Sequence, residues 1–135
     1  MANGLYAKAK EGLLNGTINW ATGNIKAVLV DTGTYSPSLS TNQYLSDITS
    51  GARIATSANL TSKTVTGGVA DAADVVFSAV SGATVEAVVL YQDTGTASTS
   101  SLIAFIDTGT GLPITPNGGD ITIQWLNGSS RIFAL

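Results

Sequence analysis

The chain has 135 residues, of which 44% are hydrophobic and only 11% charged, with a net charge of −3. That supports a single domain, residues 1–135, large enough to bury roughly two-thirds of its unfolded surface. It argues against a nucleic-acid partner, because Lys8, Lys10, Lys26, Arg53, Lys63 and Arg131 are scattered rather than gathered into a phosphate-binding patch. There is no Cys and no His, which removes disulfides, thiolate chemistry, Ser-His-Asp and Cys-His catalysis and the usual zinc sites. Residues 1–20 lack the apolar centre of a signal peptide, and no run is long enough to span a membrane. The expectation is a protein made in a cytoplasm, leaving it only as part of something larger.

The first predicted element is a short helix over Asn3–Leu14, with Asn3 as its N-cap and Asn15-Gly16 as its stop. Leu5, Ala9 and Leu13 share one face, and Gly12 weakens the helix by up to about 1 kcal/mol relative to Ala. Residues 1–16 read either as a lid packed on the fold or as an arm that docks on another subunit. Thr17–Trp20 is a short strand ending at the turn Thr22-Gly23-Asn24, and Ile25–Val30 is a second strand. After a loop, Thr41 caps one or two helical turns that bury Tyr44, Leu45 and Ile48. Strands follow near Ala52–Thr56, Asn59–Val65 and Asp74–Val80, punctuated by Gly67-Gly68 and Ser81-Gly82.

The stretch Thr84–Gly111 holds two apolar runs, Val85–Tyr91 and Leu102–Ile106, separated by a polar loop. Alternation is nearly lost in both, as expected of strands covered on two sides, so they are predicted to be the paired middle of an antiparallel sheet. Leu112–Gly119 is a tight connection. Ile121–Leu126 alternates, with Ile121, Ile123 and Trp125 inward and Thr122 and Gln124 outward. Asn127-Gly128 signals a hairpin into Arg131–Leu135, whose apolar end should lie inside the sheet. Seven to nine short strands with regular turns predict an all-β, antiparallel β-sandwich of jelly-roll or Ig-like type, decorated by a short N-terminal helix.

One tetrapeptide occurs three times, at Asp31-Thr32-Gly33-Thr34, Asp93-Thr94-Gly95-Thr96 and Asp107-Thr108-Gly109-Thr110. The first and third copies follow apolar strands, as in an aspartic protease whose two carboxylates share a proton. Three copies are one too many for an internal dyad. The competing explanation is that Asp caps each turn through its side chain while Gly supplies positive φ, and it is the one adopted. Asp71, Asp74, Asp93, Asp107 and Asp120 do not form the dense alternating array of a calcium loop. Trp20, Trp125 and the tyrosines could form a sugar-stacking platform, against core packing for Trp125 on the apolar side of its strand. No catalytic residue, cofactor or metal site emerges, so the expectation is a protein that is not an enzyme.

Several ordered blocks carry a resemblance. M-A-N-G-L-Y-A-K-A-K-E-G-L-L-N-G-T-I-N-W is followed by N-I-K-A-V-L-V-D-T, by Y-L-S-D-I and by G-A-R-I-A-T-S-A-N-L-T-S-K-T-V. G-V-A-D-A-A-D-V-V-F-S-A-V-S-G comes next, and the end reads G-L-P-I-T-P-N-G-G-D-I-T-I-Q-W-L-N-G plus R-I-F-A-L. Over the whole chain these resemble a family of small virion structural proteins of tailed bacteriophages, of the capsid cement or decoration type. The resemblance implies a protein of the virion surface that binds the outside of the head, bridges subunits of the major capsid protein and forms homo-oligomers, with a trimer the natural expectation. It carries no catalytic motif to transfer, and the absent His and Cys agree; no nucleic acid and no membrane are expected from the charge distribution and run lengths above. Leu5, Tyr6 and Lys10 are the expected capsid contacts. The alternatives are a tail, collar or fibre-associated component, and a carbohydrate-binding or adhesin module on the particle.

Overall fold

The two apolar runs at the centre of the sequence do pair with each other. In a computed structural model that describes residues 4–107, 112–125 and 132–134, they form β6 (Ala87–Gln92) and β7 (Ser101–Ile106), which run antiparallel with Val89 opposite Phe105 and Leu90 opposite Ala104. They belong to a five-stranded antiparallel sheet in the order β1-β7-β6-β2-β3, completed by β1 (Gly4–Leu5), β2 (Ile25–Val30) and β3 (Arg53–Thr56). Residues 87–91 and 102–106 are all buried, whichever face they point to. A strand in that position must be apolar at consecutive positions, which is why the alternation disappears from the sequence. Moving a Leu, Ile or Phe side chain from water to such a site contributes about 1.5–3 kcal/mol.

Two short antiparallel ribbons complete the strands among the described residues. β4 (Val69–Ala70) pairs with β9 (Phe133–Ala134), and β5 (Val75–Phe77) pairs with β8 (Ile121–Ile123). Buried residues of both ribbons, including Ala70, Phe77, Ile121 and Ile123, join one hydrophobic cluster with the large sheet, as does Trp125 just past β8. The fold is therefore mostly β, antiparallel, with one short α-helix among the described residues, α1 (Ala7–Asn15), against β7. The inward and outward residues of β8 are as its sequence alternation requires: Ile121, Ile123 and Trp125 are buried, and Thr122 and Gln124 exposed.

Where local pattern and tertiary pairing competed, pairing won. The helix does not start at an Asn3 cap. Gly4 and Leu5 pair with Phe105 and Ala104 instead, the Tyr6 N–H donates to Ile103 O at 3.0 Å, and the helix begins at Ala7. The free edge of β7 offers those backbone bonds, and an isolated nine-residue helix is too short to compete with them. Gly16 does end the helix as expected, in the left-handed region at φ 85°. Gly12 is more than a weak helix residue, because a Cβ there would lie 2.7 Å from Ile18 Cδ1.

Thr17–Trp20 is not a strand. Its backbone pairs with no other strand: Thr17 N–H donates to Asn15 Oδ1, Ile18 N–H to Gly12 O and Asn19 N–H to Gln92 Oε1. Residues 59–65 likewise form no strand: Leu60 N–H reaches Ile25 O, Ser62 takes a positive φ of 54°, and Thr64 makes an isolated bridge to Asp71. Thr41 caps nothing; its hydroxyl donates to Ser38 Oγ. The helical turn comes later, as a 3-10 turn over Leu45–Asp47 in which Asp47 Oδ2 accepts from the backbone of Gln43 and Tyr44. Val85 lies before β6 and bridges Ile114 of the proline-containing connection. The Asn127-Gly128 turn and Leu135 lie outside the described residues, but β8 and β9 do not form the expected hairpin, since each pairs with a different, earlier strand.

Candidate functional site

The three residues singled out at the N-terminus meet very different fates. Leu5 is half-buried on the edge strand, and Lys10 is exposed on α1. Tyr6, between them, has no exposed surface at all. Its hydroxyl sits 2.8 Å from that of Tyr35, which donates to Asn42 Oδ1 at 2.8 Å. The same Asn42 oxygen accepts the Ser38 N–H at 3.0 Å, and Leu39 O accepts the Ala7 N–H at 2.7 Å. The N-terminal segment is thus fastened to the loop after β2 by a buried chain of polar contacts, as well as to β7 by its backbone. Tyr6 is a pin and offers no surface to a partner. Beyond Lys10, α1 presents the Lys8–Glu11 ion pair at 3.2 Å and Leu14, which is 86% exposed.

Burial is the main reason the Tyr6 hydroxyl resists ionisation far above the usual tyrosine range, with the Tyr35 hydrogen bond and the negative charge of Asp47 adding to it. Tyr35 is also raised, chiefly by burial, although its bond to Tyr6 acts in the opposite direction. Sequence reasoning missed this pair. Tyr6 and Tyr35 are 29 residues apart, and no local pattern links two tyrosines at that distance.

The repeated Asp-Thr-Gly-Thr segments behave as turns where they are described. Asp31 Oδ1 accepts the Gly33 N–H at 2.9 Å, and its other oxygen accepts the Thr34 hydroxyl at 3.2 Å, but Gly33 does not take the positive φ expected of it. Asp93 Oδ1 accepts the Gly95 N–H at 3.1 Å, with Gly95 at φ 88°. That backbone bond is the first cause of the lowered Asp93 pKa; Lys26, 3.1 Å away, supports it. In the third copy residues 108–110 lie outside the described residues. Asp107 shares a cleft with Thr32 and Glu86, and the Glu86 carboxylate accepts both the Thr32 N–H and its hydroxyl. Asp31, spent on its own turn, does not line that cleft.

Asp74 and Asp120 also serve backbone. Asp74 Oδ1 accepts the Trp125 N–H, and Asp120 Oδ1 accepts the Ala79 N–H, each at 3.0 Å. Among the described residues, no three metal-ligating side chains converge. Trp20 and Trp125 are both buried, with their indole N–H groups donating to Asp71 O and Ala73 O, while Trp20 packs edge-on against Phe133 at 5.2 Å. They are core residues that bracket one backbone segment, with their polar atoms satisfied as buried indoles require. Core packing, the reading preferred for Trp125, holds for both, and the two rings form no sugar-stacking platform.

Comparison with known proteins finds no matching family model and no similar curated protein.

Proposed function

We propose that this protein is a non-enzymatic structural component of a tailed-bacteriophage virion, bound as a cement protein to the outside of the head. The observation that carries the reading is the chain-long series of sequence blocks resembling such proteins. In the same reading the five-stranded sheet and the two ribbons are the layers of one β-sandwich, of jelly-roll or Ig-like type. A cement protein needs a stiff, soluble, weakly charged body that bridges neighbouring major capsid protein subunits. A β core with few charges supports that, and contacts repeated over a lattice sum by multivalency. A closed trimer would match three-fold positions on the shell. The protein would be made in the host cytoplasm and end on the capsid surface. It would use no cofactor, nucleic acid or membrane, and no helix among the described residues is long and apolar enough to cross one.

The shell contact is assigned to the outer side of the N-terminal segment, with Lys10 exposed, Leu5 partly so, and Tyr6 holding the segment in place from within. Cryo-electron microscopy of purified particles tests the reading. Density repeated over the head lattice at three-fold or quasi-three-fold positions is the expected result. Density confined to the tail, collar or a vertex would overturn the cement role while keeping the virion assignment, and absence of the chain from particles would overturn both.

A further inference from the structure

A polar cleft of about 370 Å³ lies between α1, the Gln43–Tyr44 corner and the loop that follows β6. Its size falls within the range of about 300–1,000 Å³ typical of small-ligand sites. Its walls are held rigidly. The Gln92 side chain is clamped at both ends, accepting the Asn19 N–H at 2.8 Å and donating to Thr17 O at 2.9 Å. Tyr44 is fixed by its backbone bridge to Ser101 and by the bond from its N–H to Asp47.

The groups left over have a particular chemistry. Gln43 Nε2 donates to the Tyr44 hydroxyl at 3.1 Å, which leaves Gln43 Oε1 as an acceptor and the tyrosine proton as a donor. Asn15 Oδ1 is occupied by Thr17, leaving its NH₂ group. Ser101 lines the cleft as well, and its hydroxyl both donates and accepts. Lys8 and Glu11 also line the cleft but neutralise each other at 3.2 Å, so neither a phosphate nor a polyamine finds an uncompensated charge. Mixed donors and acceptors without net charge, beside one aromatic ring, suit a ligand whose every hydroxyl both donates and accepts and whose C–H face meets the negative face of a ring.

We propose that this cleft binds a short neutral saccharide, with Tyr44 as the stacking residue and Gln43, Asn15 and Ser101 as its hydrogen-bonding partners. The site is separate from the buried tryptophans and does not depend on where the protein sits in a virion. The test is an NMR titration of the full chain, following backbone and side-chain amides. Maltotriose, chitotriose and cellotriose are the probes, each to about 10 mM so that a dissociation constant near 1 mM is resolved. Inorganic phosphate and spermidine are the charged controls.

The expected result is that at least one trisaccharide shifts the amides of Gln43, Tyr44 and Gln92 and the Asn15 side chain. Tyr44→Ala should weaken that binding about tenfold or more, and Tyr44→Phe, which keeps the ring, only a few-fold. Ser101→Ala supplies a milder variant, expected to weaken binding a few-fold, should Tyr44→Ala disturb the fold. Three results would overturn the proposal: no shifts with any trisaccharide, shifts mapping to another surface, or tighter binding of phosphate or spermidine in the cleft. Unchanged affinity in a folded Tyr44→Ala variant would do so too. Particle imaging is an independent readout, so failure here leaves the virion reading untouched.

Discussion

Removing one oxygen atom from Tyr6 tests how the N-terminal segment is held. The Tyr35 hydroxyl donates to Asn42, so the proton between the two tyrosines belongs to Tyr6. Tyr6→Phe deletes it and leaves Tyr35 without its donor, although Tyr35 keeps its bond to Asn42. A neutral hydrogen bond contributes about 0.5–1.5 kcal/mol net, and a buried group left wholly unsatisfied costs about 1–3 kcal/mol. With one of the two Tyr35 bonds retained, the expected loss is about 1 kcal/mol. Tyr6→Ala also deletes a ring with no exposed surface, and large-to-small changes of that kind cost about 3–5 kcal/mol out of a total near 5–15. Urea denaturation at constant m value reads both directly.

The same pair predicts an alkaline limb. Both hydroxyls have raised pKa values in the folded state, chiefly through burial, whereas unfolded tyrosines ionise near pH 10. The folded state thus binds protons that the unfolded state has lost. The stabilisation is complete below about pH 10 and falls as pH rises above it, by about 1.4 kcal/mol per pH unit for each tyrosine kept neutral. Tyr6→Phe removes one titrating group and should make that fall shallower. If Tyr6→Phe left both the urea midpoint and the alkaline limb unchanged, the buried chain of hydroxyls would contribute nothing and the pinning argument would fail. An equal loss in Tyr6→Phe and Tyr6→Ala would show that the ring is not packed as described.

Gly23→Ala is expected to destabilise by about 1–3 kcal/mol through overpacking, because its Cβ would lie 2.5 Å from Asn19 O and 2.6 Å from Gln92 Oε1; a thermal melt equal to the parent protein's would refute the close approach. Asp93 has a lowered folded-state pKa, set first by the Gly95 N–H and then by Lys26, so its contribution is present above about pH 4 and disappears as pH falls through the folded value. Asp93→Asn should lose up to about 1 kcal/mol at pH 7 and show a flatter acid limb in urea titrations at several pH values. On the proposed cement role, Lys10→Glu should change stability by no more than about 0.5 kcal/mol while lowering occupancy on phage heads, and unaltered occupancy in a particle-binding assay would overturn the proposed shell contact at Lys10.

Much of the fold was readable wherever a local pattern had one physical meaning. Continuous apolar runs marked the doubly covered strands β6 and β7, the alternation of β8 gave its inner face, and Asn15-Gly16 stopped the helix where a left-handed residue is needed. The first two Asp-Thr-Gly-Thr segments were legible as turns, because an Asp side chain reaches the N–H two residues on without help from the rest of the chain. Of the candidate contacts, Lys10 is exposed, whereas Tyr6 is buried against Tyr35, a partner 29 residues away that no local pattern announces.

What the tertiary structure decided depends on partners far away in sequence. Gly4 and Leu5 became a strand because β7 had a free edge, and β8 and β9 took partners from earlier in the chain although the Asn-Gly signal favoured a hairpin. The indole N–H groups of Trp20 and Trp125 found their acceptors in Asp71 O and Ala73 O, and Gln43, Gln92 and Asn15 came together around one cleft from three separate segments. Composition and periodicity encode which residues want to be buried and where the chain can turn. They do not encode which edge is left open for a given strand, nor which side chains meet across it, because those are properties of the assembled core.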